Sequence, residues 1–437
     1  MSSYTNVTPR IIDPVFDRPN RAEFRLPAGQ VYLSSMRLIN VGVTSSTAGA
    51  KYNPVLGALA AIKTISLMDG SETLDTVQVA PLISSIKNLN RRNDENLSMN
   101  RFLKKIGLGY VTSGQFSRTT GGTAGEEQFE KNDILVREQN PQANTVSSAS
   151  PQKAWISLKD MLSFLGASLV VPTSVFKQLR LVVEYNTPAE MQFFVTPTNA
   201  ADRAVVTEGL LLVDEVNEGD MKEMLMKNYK GVFYSPLETD TVRFLGTGAG
   251  ADTAAGNLPS REQNFLMNGF NGKTLKRLMV LNRPANVATF SDANVLQGYG
   301  PLASVASYGS GIQIRVNGAD LLPSAGVESS STGSCGNRRL AHAVDTWGDF
   351  NVFQGQNFTS TPAQADYLDG DQLLAVGQVD IFGVPVEQHI RELQVRYSRT
   401  AVFGNVPQTQ PLNLTLVGQV EKAVTLTSDG GYIVAYV

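Results

Sequence analysis

The sequence is poor in the residues on which most enzyme sites and disulfide frameworks depend. It contains one cysteine, Cys335, and two histidines, His342 and His389. A single cysteine excludes a disulfide framework and any metal site built from several thiolates. Two histidines leave little for a zinc centre or for histidine-based acid–base catalysis. We therefore expect a protein that is not an enzyme.

Charged residues are also scarce, at 18% of the chain against about 25% in an average globular protein. Such a low charge content argues against disorder and coiled coil. Lys plus Arg number 37 and Asp plus Glu number 40, giving a net charge of −3. A nucleic-acid-binding protein usually carries a basic excess. The balance therefore predicts no sequence-specific binding of nucleic acid.

Long apolar runs are missing as well. Met161–Phe176 lacks charge but contains Gly166 and Pro172, and Ala293–Ile314 is rich in glycine and serine. Neither supplies the roughly 20 apolar residues of a membrane-spanning helix. Residues 1–20 include three prolines and no apolar signal region. We expect a soluble protein made in a cytosol-like compartment.

Alternation of apolar and polar residues is the main positive signal. It is clear in Leu179–Tyr185, in Leu393–Tyr397 and in Ile312–Val316, which ends at the turn dipeptide Asn317-Gly318. Runs of period two bounded by turn residues are typical of half-buried strands. Helical patterns are few: Val79–Leu89, Leu158–Phe164 and Gly219–Tyr229. The pattern predicts an all-β fold with a few short helices.

Three segments of low charge predict long surface loops, because long irregular connections inside a compact domain are uncommon unless they have a surface role. They are Arg118–Ser150, Gly246–Gly256 and Ser324–Gly336.

An internal repeat links the two halves of the chain. Five short segments of the first half recur in the same order in the second half. The matched pairs are Leu33–Asn40 with Leu275–Asn282, Ile65–Gly70 with Ile314–Gly318, Asn90–Arg92 with Asn337–Arg339, Leu181–Tyr185 with Leu393–Tyr397, and Leu210–Val216 with Leu414–Val420.

The spacing of the repeat indicates where the halves differ. Arg92 and Tyr185 lie 93 residues apart, against 58 between Arg339 and Tyr397. The glycine-containing segment 118–150 is the obvious place for the extra residues. We interpret the chain as an N-terminal arm, 1–19, a first β domain, 20–230, with its long loop at 118–150, and a second β domain, 231–437.

Motifs that suggest chemistry have simpler explanations. Gly269–Thr274 resembles a phosphate-binding loop, but Met267 stands where the pattern needs glycine, and a strand follows instead of a helix. We predict a turn leading into a strand. We also predict solvent-exposed groups at His389 and at the acidic pairs, none of which stands out as a glycosidase pair. The acidic residues considered are Glu126, Glu127, Asp214, Glu215, Asp366, Asp369 and Asp371. No catalytic, cofactor or metal site is predicted.

Two features leave alternatives open. The dipeptides Arg91-Arg92 and Arg338-Arg339 fit either an arginine clamp, between subunits or within one domain, or two surface arginines at a helix end. Trp155 and Trp347 favour core packing, with an interface pocket as the alternative.

Two tandem β domains, long inserted loops, a proline-containing N-terminal arm and no catalytic set resemble one family. This is the family of double jelly-roll major capsid proteins of tailless icosahedral double-stranded DNA viruses, which includes tectivirus-like, adenovirus-like and virophage-like members. The local similarity lies in FRLPAGQVYLSSMRLINVG, from Phe24, and in GFNGKTLKRLMVLN, from Gly269. The resemblance rests on architecture and spans the chain from about residue 20.

The resemblance implies two tandem eight-stranded jelly-roll β-sandwiches and a structural role in the virion. It implies a homotrimer with pseudo-hexameric outline, made in the host cytoplasm, that tiles the shell beside neighbouring capsomers. Implied partners are minor capsid, penton or cement proteins, and the family leaves room for a membrane beneath the shell. The segment 118–150 would then be an outward tower loop. Because apolar residues such as Ile11 and Phe16 stand between prolines, we predict that the arm lies against a neighbouring subunit or the inner face of the shell, with a disordered tail as the alternative.

Two other classes share this composition. A tandem β-sandwich that binds carbohydrate or mediates adhesion would show aromatic residues clustered in loops, whereas tyrosine and tryptophan here lie mostly in or beside predicted strands. A phage tail or spike component would form an elongated trimer instead of a compact capsomer.

Overall fold

The computed structural model describes residues 7–45, 51–52, 57–82, 153–192, 195–196, 203–205, 209–217, 219–244, 261–284, 310–321, 327–329, 346, 382–399 and 412–437. All strand pairs in these ranges are antiparallel. The structure therefore confirms the all-β class.

Within the described ranges, the first half of the chain contributes fourteen strands. They are β1 (Val7–Ile12), β2 (Phe16–Arg18), β3 (Arg21–Arg25), β4 (Val31–Leu33), β5 (Arg37–Ser45), β6 (Lys51–Tyr52), β7 (Ile62–Asp69), β8 (Glu72–Gln78), β9 (Lys153–Ser157), β10 (Val170–Pro172), β11 (Leu179–Tyr185), β12 (Val195–Thr196), β13 (Arg203–Val205) and β14 (Leu210–Val216).

The described part of the second half contributes twelve strands. They are β15 (Gly231–Tyr234), β16 (Leu237–Phe244), β17 (Arg261–Leu266), β18 (Thr274–Pro284), β19 (Ser310–Val316), β20 (Ala319–Asp320), β21 (Val327–Ser329), β22 (Phe382–His389), β23 (Leu393–Arg399), β24 (Leu412–Val420), β25 (Lys422–Leu426) and β26 (Tyr432–Tyr436).

The helices within the described ranges are short. They are a 3₁₀ helix (Gly57–Ala61), α1 (Val79–Leu82), α2 (Leu158–Met161), α3 (Ser163–Ala167), α4 (Pro188–Met191) and α5 (Gly219–Asn228). The structure confirms the predicted helices at 158–164 and 219–229, and α5 has Asp220 in its first turn and Lys227 in its last, as the helix dipole favours. Of the predicted helix 79–89, the part after Leu82 lies outside the described residues.

Each half folds into two facing sheets with the same strand order. In the first half the sheets contain β1-β14-β5-β9 and β3-β11-β7-β8. In the second half they contain β16-β24-β18-β22 and β17-β23-β19-β20. We number the eight strands just named in each half from 1 to 8 by their order in the chain. In both halves the order of neighbouring strands is then 1-8-3-6 in one sheet and 2-7-4-5 in the other. This is the strand order of an eight-stranded jelly roll, so the structure confirms two tandem jelly-roll sandwiches.

The matched sequence segments fall on equivalent strands. β5 and β18 hold position 3, β7 and β19 position 4, β11 and β23 position 7, and β14 and β24 position 8. The repeat seen in the sequence is therefore a repeat of the fold. The fifth matched pair, Asn90–Arg92 and Asn337–Arg339, lies outside the described residues.

Residues that the sequence analysis assigns to the N-terminal arm pair with the chain's own sheets. β1 pairs with β14 over Val7–Ile12, and β2 forms a hairpin with β3. β1 thus holds position 1 of the first sandwich, the position that β16 holds in the second. The extended conformation expected from the prolines is what allows this segment to join a sheet.

The connections between strands divide into a short end and a long end. In the second sandwich the connections 2–3, 4–5 and 6–7 are tight, and they hydrogen-bond to one another: Gly272 N donates to Ile390 O (2.8 Å), and Asn317 N donates to Glu392 O (2.9 Å). Since successive strands are antiparallel, connections 1–2, 3–4, 5–6 and 7–8 must attach at the other end.

The predicted long loops belong to those other connections. Arg118–Ser150 lies between positions 5 and 6 of the first sandwich, and Gly246–Gly256 lies between positions 1 and 2 of the second. Both are outside the described residues. Within Ser324–Gly336, the structure shows that Val327–Ser329 is a strand, β21, which pairs with β19.

Two hydrophobic cores fill the sandwiches, and one sheet belongs to both. On β18, Leu278 and Val280 face the second core, whereas Met279 and Leu281 pack with the first. On β24, Leu416 and Val417 divide in the same way. A sheet buried on both faces needs apolar residues in both phases of the alternation. This explains the continuous run Leu278–Leu281, in which each buried side chain contributes about 1.5–3 kcal/mol.

An Asx residue anchors the 4–5 turn of each sandwich. In the second sandwich Asn317 has φ 52° and Gly318 has φ 85°, as a tight hairpin turn requires. The Asn317 side chain donates from Nδ2 to His389 O (2.8 Å) and accepts at Oδ1 from Arg391 N (2.8 Å). In the first sandwich, Oδ1 of Asp69 likewise accepts from the backbone N of Gln178 (2.6 Å). One side chain thus ties two connections together in each half.

Replacing Asn317 tests this anchor. Asn317→Ala removes the side-chain hydrogen bonds and places a Cβ-only residue at positive φ, so we expect a loss of about 3 kcal/mol. Asn317→Gly removes the same bonds but tolerates the backbone, so its loss is about 1–2 kcal/mol. Denaturant midpoints of both variants provide the measurement, and equal shifts would contradict the contribution of the backbone conformation.

Candidate functional site

A group of buried polar side chains with long-range partners lies where the two sandwiches meet. Here β15, β25 and β26 form a three-stranded sheet that belongs to neither sandwich. After β24 ends the second sandwich, the chain returns as the hairpin β25–β26 and covers the core of the first. Val424 is part of that core, and Leu426, Tyr432 and Val434 pack against it. We call residues 422–436 the C-terminal hairpin.

A glycine allows β15 to approach the C-terminal hairpin closely. Gly231 begins β15 with φ +99°, and a Cβ there would lie 2.1 Å from the backbone oxygen of Val424. No other residue fits this position unless the strand moves. The close approach brings the next residues of β15 against α3 of the first sandwich.

Two side chains cross from this sheet to strand β8 of the first sandwich. Nζ of Lys422 donates to the carbonyl oxygens of Thr73 (3.1 Å) and Leu74 (3.3 Å). The hydroxyl of Tyr234 donates to the same Leu74 carbonyl. Burial lowers the pKa of Lys422. These bonds satisfy polar atoms that would otherwise be buried without partners.

Asp75 lies next to these carbonyls and is 3% exposed. Its Oδ2 accepts a hydrogen bond from the backbone N of Phe164 at the start of α3 (2.9 Å). Burial raises the pKa of Asp75 to about 7, although backbone donors and the charge of Lys422 oppose the change. We call Asp75, Lys422 and Tyr234 the junction cluster.

A second layer of polar contacts surrounds the junction cluster. The hydroxyl of Tyr436 donates to Glu238 Oε1 (2.7 Å), and that of Tyr432 donates to Asp69 Oδ2 (2.7 Å). Nζ of Lys273 lies 4.8 Å from the Tyr436 ring centroid, and Nζ of Lys422 lies 5.1 Å from it. The hairpin is therefore bonded to strands of both sandwiches, and the arrangement fixes their relative orientation.

Among the described residues, no group of three or more His, Cys, Asp or Glu side chains is placed to hold a metal ion. Within the same ranges, no helix has the length and hydropathy needed to cross a membrane.

The candidates from the sequence fall at separate places. His389 is exposed, and its carbonyl accepts from Asn317. Asp214 accepts from Ser35 Oγ (2.6 Å). Glu215 is not the exposed group that we predicted: it is 3% exposed and pairs with Arg10 (2.7 Å), because β1 covers it.

The phosphate-loop candidate is a turn that leads into β18, as predicted. Gly272 has φ +77°, and Lys273 Nζ donates to Gly269 O (2.7 Å) instead of pointing into an anion site. The remaining candidates lie outside the residues whose side chains are described: Arg91, Arg92, Glu126, Glu127, Trp155, Cys335, Arg338, Arg339, His342, Trp347, Asp366, Asp369 and Asp371. For Trp155 the backbone is described, and it pairs with Ile39 in β5.

Sequence reasoning missed the junction cluster. One signal was present: in β25 Lys422 occupies the same inward phase as Val424 and Leu426, so a lysine stands where alternation calls for an apolar residue. Asp75 could not be identified in this way, because Leu74 and Asp75 are adjacent in β8 and both are buried. Alternation along the strand would assign Asp75 to the face opposite Leu74, which is the exposed face if Leu74 points into the core.

Paired glycine substitutions test the close approach at the junction. Gly231→Ala forces β15 away from the hairpin, and we expect a loss of about 3–5 kcal/mol, as for strong overpacking plus backbone strain. Gly272→Ala is the matched control: its φ is +77° but no atom lies within 4 Å of the added Cβ, so the loss is about 1 kcal/mol. Thermal unfolding midpoints measure both, and equal shifts would contradict the steric explanation.

Comparison with known proteins finds the same fold in viral capsid proteins. No protein-family model and no curated protein matches the sequence. Solved structures do match over the whole chain. PBCV-1 VP54, as fitted into a cryo-EM reconstruction of the virophage Sputnik, is 12% identical with a TM-score of 0.57, covering 100% of this chain and 98% of that one. The major capsid protein of mavirus is 12% identical with a TM-score of 0.51, covering 99% and 90%.

A quasi-atomic model of the PBCV-1 virus capsid is a third match. It is 11% identical with a TM-score of 0.51, covering 100% of this chain and 98% of that chain. Identity this low carries information about the fold alone. The strand order of both sandwiches agrees with it, and the chain therefore has the double jelly-roll fold of viral major capsid proteins.

Proposed function

We propose that this chain is a structural major capsid protein that trimerises into pseudo-hexameric capsomers, which tile an icosahedral virus shell. The observation that carries the proposal is the asymmetric contact between two jelly rolls of identical strand order. Within the chain, β8, at position 5 of the first sandwich, contacts β16, at position 1 of the second.

A contact between different surfaces of equivalent units can repeat. Such a heterologous interface generates a ring when its rotation closes. Among the described strands, the two edges needed for repetition have no partner sheet: β1 at position 1 of the first sandwich and β20 at position 5 of the second. If β20 of one copy meets β1 of the next as β8 meets β16, six sandwiches from three copies close a ring.

Strand β1 and the strand β2 that follows it, together called the β1 edge, also expose apolar side chains. Ile11 is 60% exposed, Val15 63% and Phe16 44%. An exposed strand edge with apolar residues is a site for association that soluble monomers usually protect. We infer that a neighbouring copy covers these residues, which keeps the predicted intersubunit role of the N-terminal segment.

The chain divides, in this proposal, into a first sandwich up to residue 230 and a second from residue 231. The C-terminal hairpin holds the two in the fixed orientation that a rigid capsomer needs. A shell building block has no need of catalysis, so the protein is not an enzyme. It resides in the virion after synthesis in the host cytoplasm. In this role its partners are neighbouring capsomers, minor capsid proteins and a membrane beneath the shell.

The mass of the purified full chain tests the proposal. Light scattering should give three times the chain mass of 47.2 kDa, and negative-stain images should show a hexagonal outline, because six similar sandwiches form the ring. A protein that stays monomeric at every concentration at which it can be measured would contradict the proposed trimer.

Charged substitutions at the β1 edge test the interface itself. The double variant Ile11→Glu and Phe16→Glu places two charges in the proposed contact, and we expect the trimer's dissociation constant to rise at least about 100-fold. Leu169→Glu is the matched control, since Leu169 is 72% exposed and follows α3 at the short end. Sedimentation velocity reads the oligomer, and circular dichroism checks the fold. A double variant as trimeric as the control would refute this interface.

A further inference from the structure

Asp75 is enclosed by elements from both halves of the chain. It lies on β8, where α3 donates to its carboxylate through Phe164 N (2.9 Å). On the other side, Lys422 of the C-terminal hairpin reaches the carbonyl oxygens of the two residues that precede it, Thr73 and Leu74. The hairpin therefore bonds to the backbone immediately before a carboxyl that is 3% exposed.

The titratable groups that act electrostatically on Asp75 come from the three-stranded sheet formed by β15, β25 and β26. They are Lys422 on β25, Tyr234 on β15 and Tyr436 on β26. Glu238 on β16, Glu72 on β8 and Lys273 before β18 act in turn on Lys422. Helices α1 and α3 carry no titratable side chain. Lys422 is thus the single cation that acts directly on Asp75 among the described groups.

We propose that Asp75 and Lys422 form a pH-responsive latch, by which the C-terminal hairpin holds the first sandwich more tightly below neutral pH than above it. An ionised carboxylate without water is costly, whereas a protonated carboxyl is not. Undocking of the hairpin admits water to Asp75 and removes that cost. Docking is therefore coupled to retention of a proton on Asp75.

The sign of the effect follows from the direction of each shift. Burial raises the pKa of Asp75 from 3.8 to about 7. The contribution of this group to stability is complete when the pH is below 3.8, the pKa of Asp75 in the unfolded chain. It is lost as the pH rises through about 7, the pKa in the folded chain. The pKa of Lys422 is lowered from 10.5, again by burial. Its contribution to stability changes with pH in the opposite direction, and a substitution at Asp75 leaves Lys422 in place.

The test compares the full chain with Asp75→Asn at one protein concentration across pH 4.5 to 8.5. Asparagine keeps an oxygen that accepts from Phe164 N but cannot ionise. From about pH 4.5 to 6.5, the unfolding equilibrium constant of the wild type relative to the variant should rise about tenfold per pH unit, and then level off above about pH 7.5. Effects of all other titrating groups cancel in this ratio.

Hydrogen exchange provides the local measurement. Relative to Asp75→Asn, amides of β25 and β26 in the wild type should progressively lose protection as the pH rises from 4.5 to about 7, and the difference should be constant above about pH 7.5. Lys422→Met serves as a second variant: loss of the partner charge should move the wild-type transition to higher pH. Asp220→Asn, an exposed change on α5, is the control and should give a flat ratio.

Two outcomes would overturn the latch. A flat ratio between the wild type and Asp75→Asn across the whole range would mean that Asp75 is ionised at little cost. If the ratio of unfolding equilibrium constants changes with pH but amide hydrogen exchange in the hairpin does not, then Asp75 titrates without affecting the docking of the hairpin.

Discussion

The β18–β24 pair is buried on both faces, and the architecture depends on this constraint. One face completes the second sandwich and the other packs with the first core, so no water-facing side is left to show the usual alternation. Both strands must then carry apolar residues in both phases. A charged residue on either face would disturb a core. Because the two cores share this layer, the sandwiches cannot rotate relative to each other without exposing apolar surface.

The same constraint makes the two sandwiches of the chain inequivalent. The two sandwiches are equivalent in strand order but not in surroundings, since the first uses its position 5 edge at the junction and the second uses its position 1 edge. Tight turns bonded to one another close one end of the second sandwich, whereas the corresponding 6–7 connection of the first contains α2, α3 and β10. A ring built by repetition of the junction, as proposed above, would repeat this difference in every copy.

Much of this could be predicted from the sequence, for identifiable reasons. Alternation in Leu179–Tyr185 and the Asn317-Gly318 turn are local signals, and the repeat between halves is a comparison of the sequence with itself. The role of Val7–Ile12 as a strand could not be predicted, because its pattern is interrupted by Pro9 and its partner, β14, is some 200 residues away. Asp75 and Lys422 were missed for a related reason. Their significance arises from burial between distant segments, which no local pattern records.

The C-terminal hairpin also has a consequence for biosynthesis. Val424 and its neighbours complete the core of the first sandwich, yet β25 and β26 are translated after every strand of both sandwiches. Domains usually fold in order as they leave the ribosome. Here the first sandwich remains open along one side until the ribosome has finished the second. The apolar surface that Val424 covers therefore stays exposed throughout synthesis of the second sandwich.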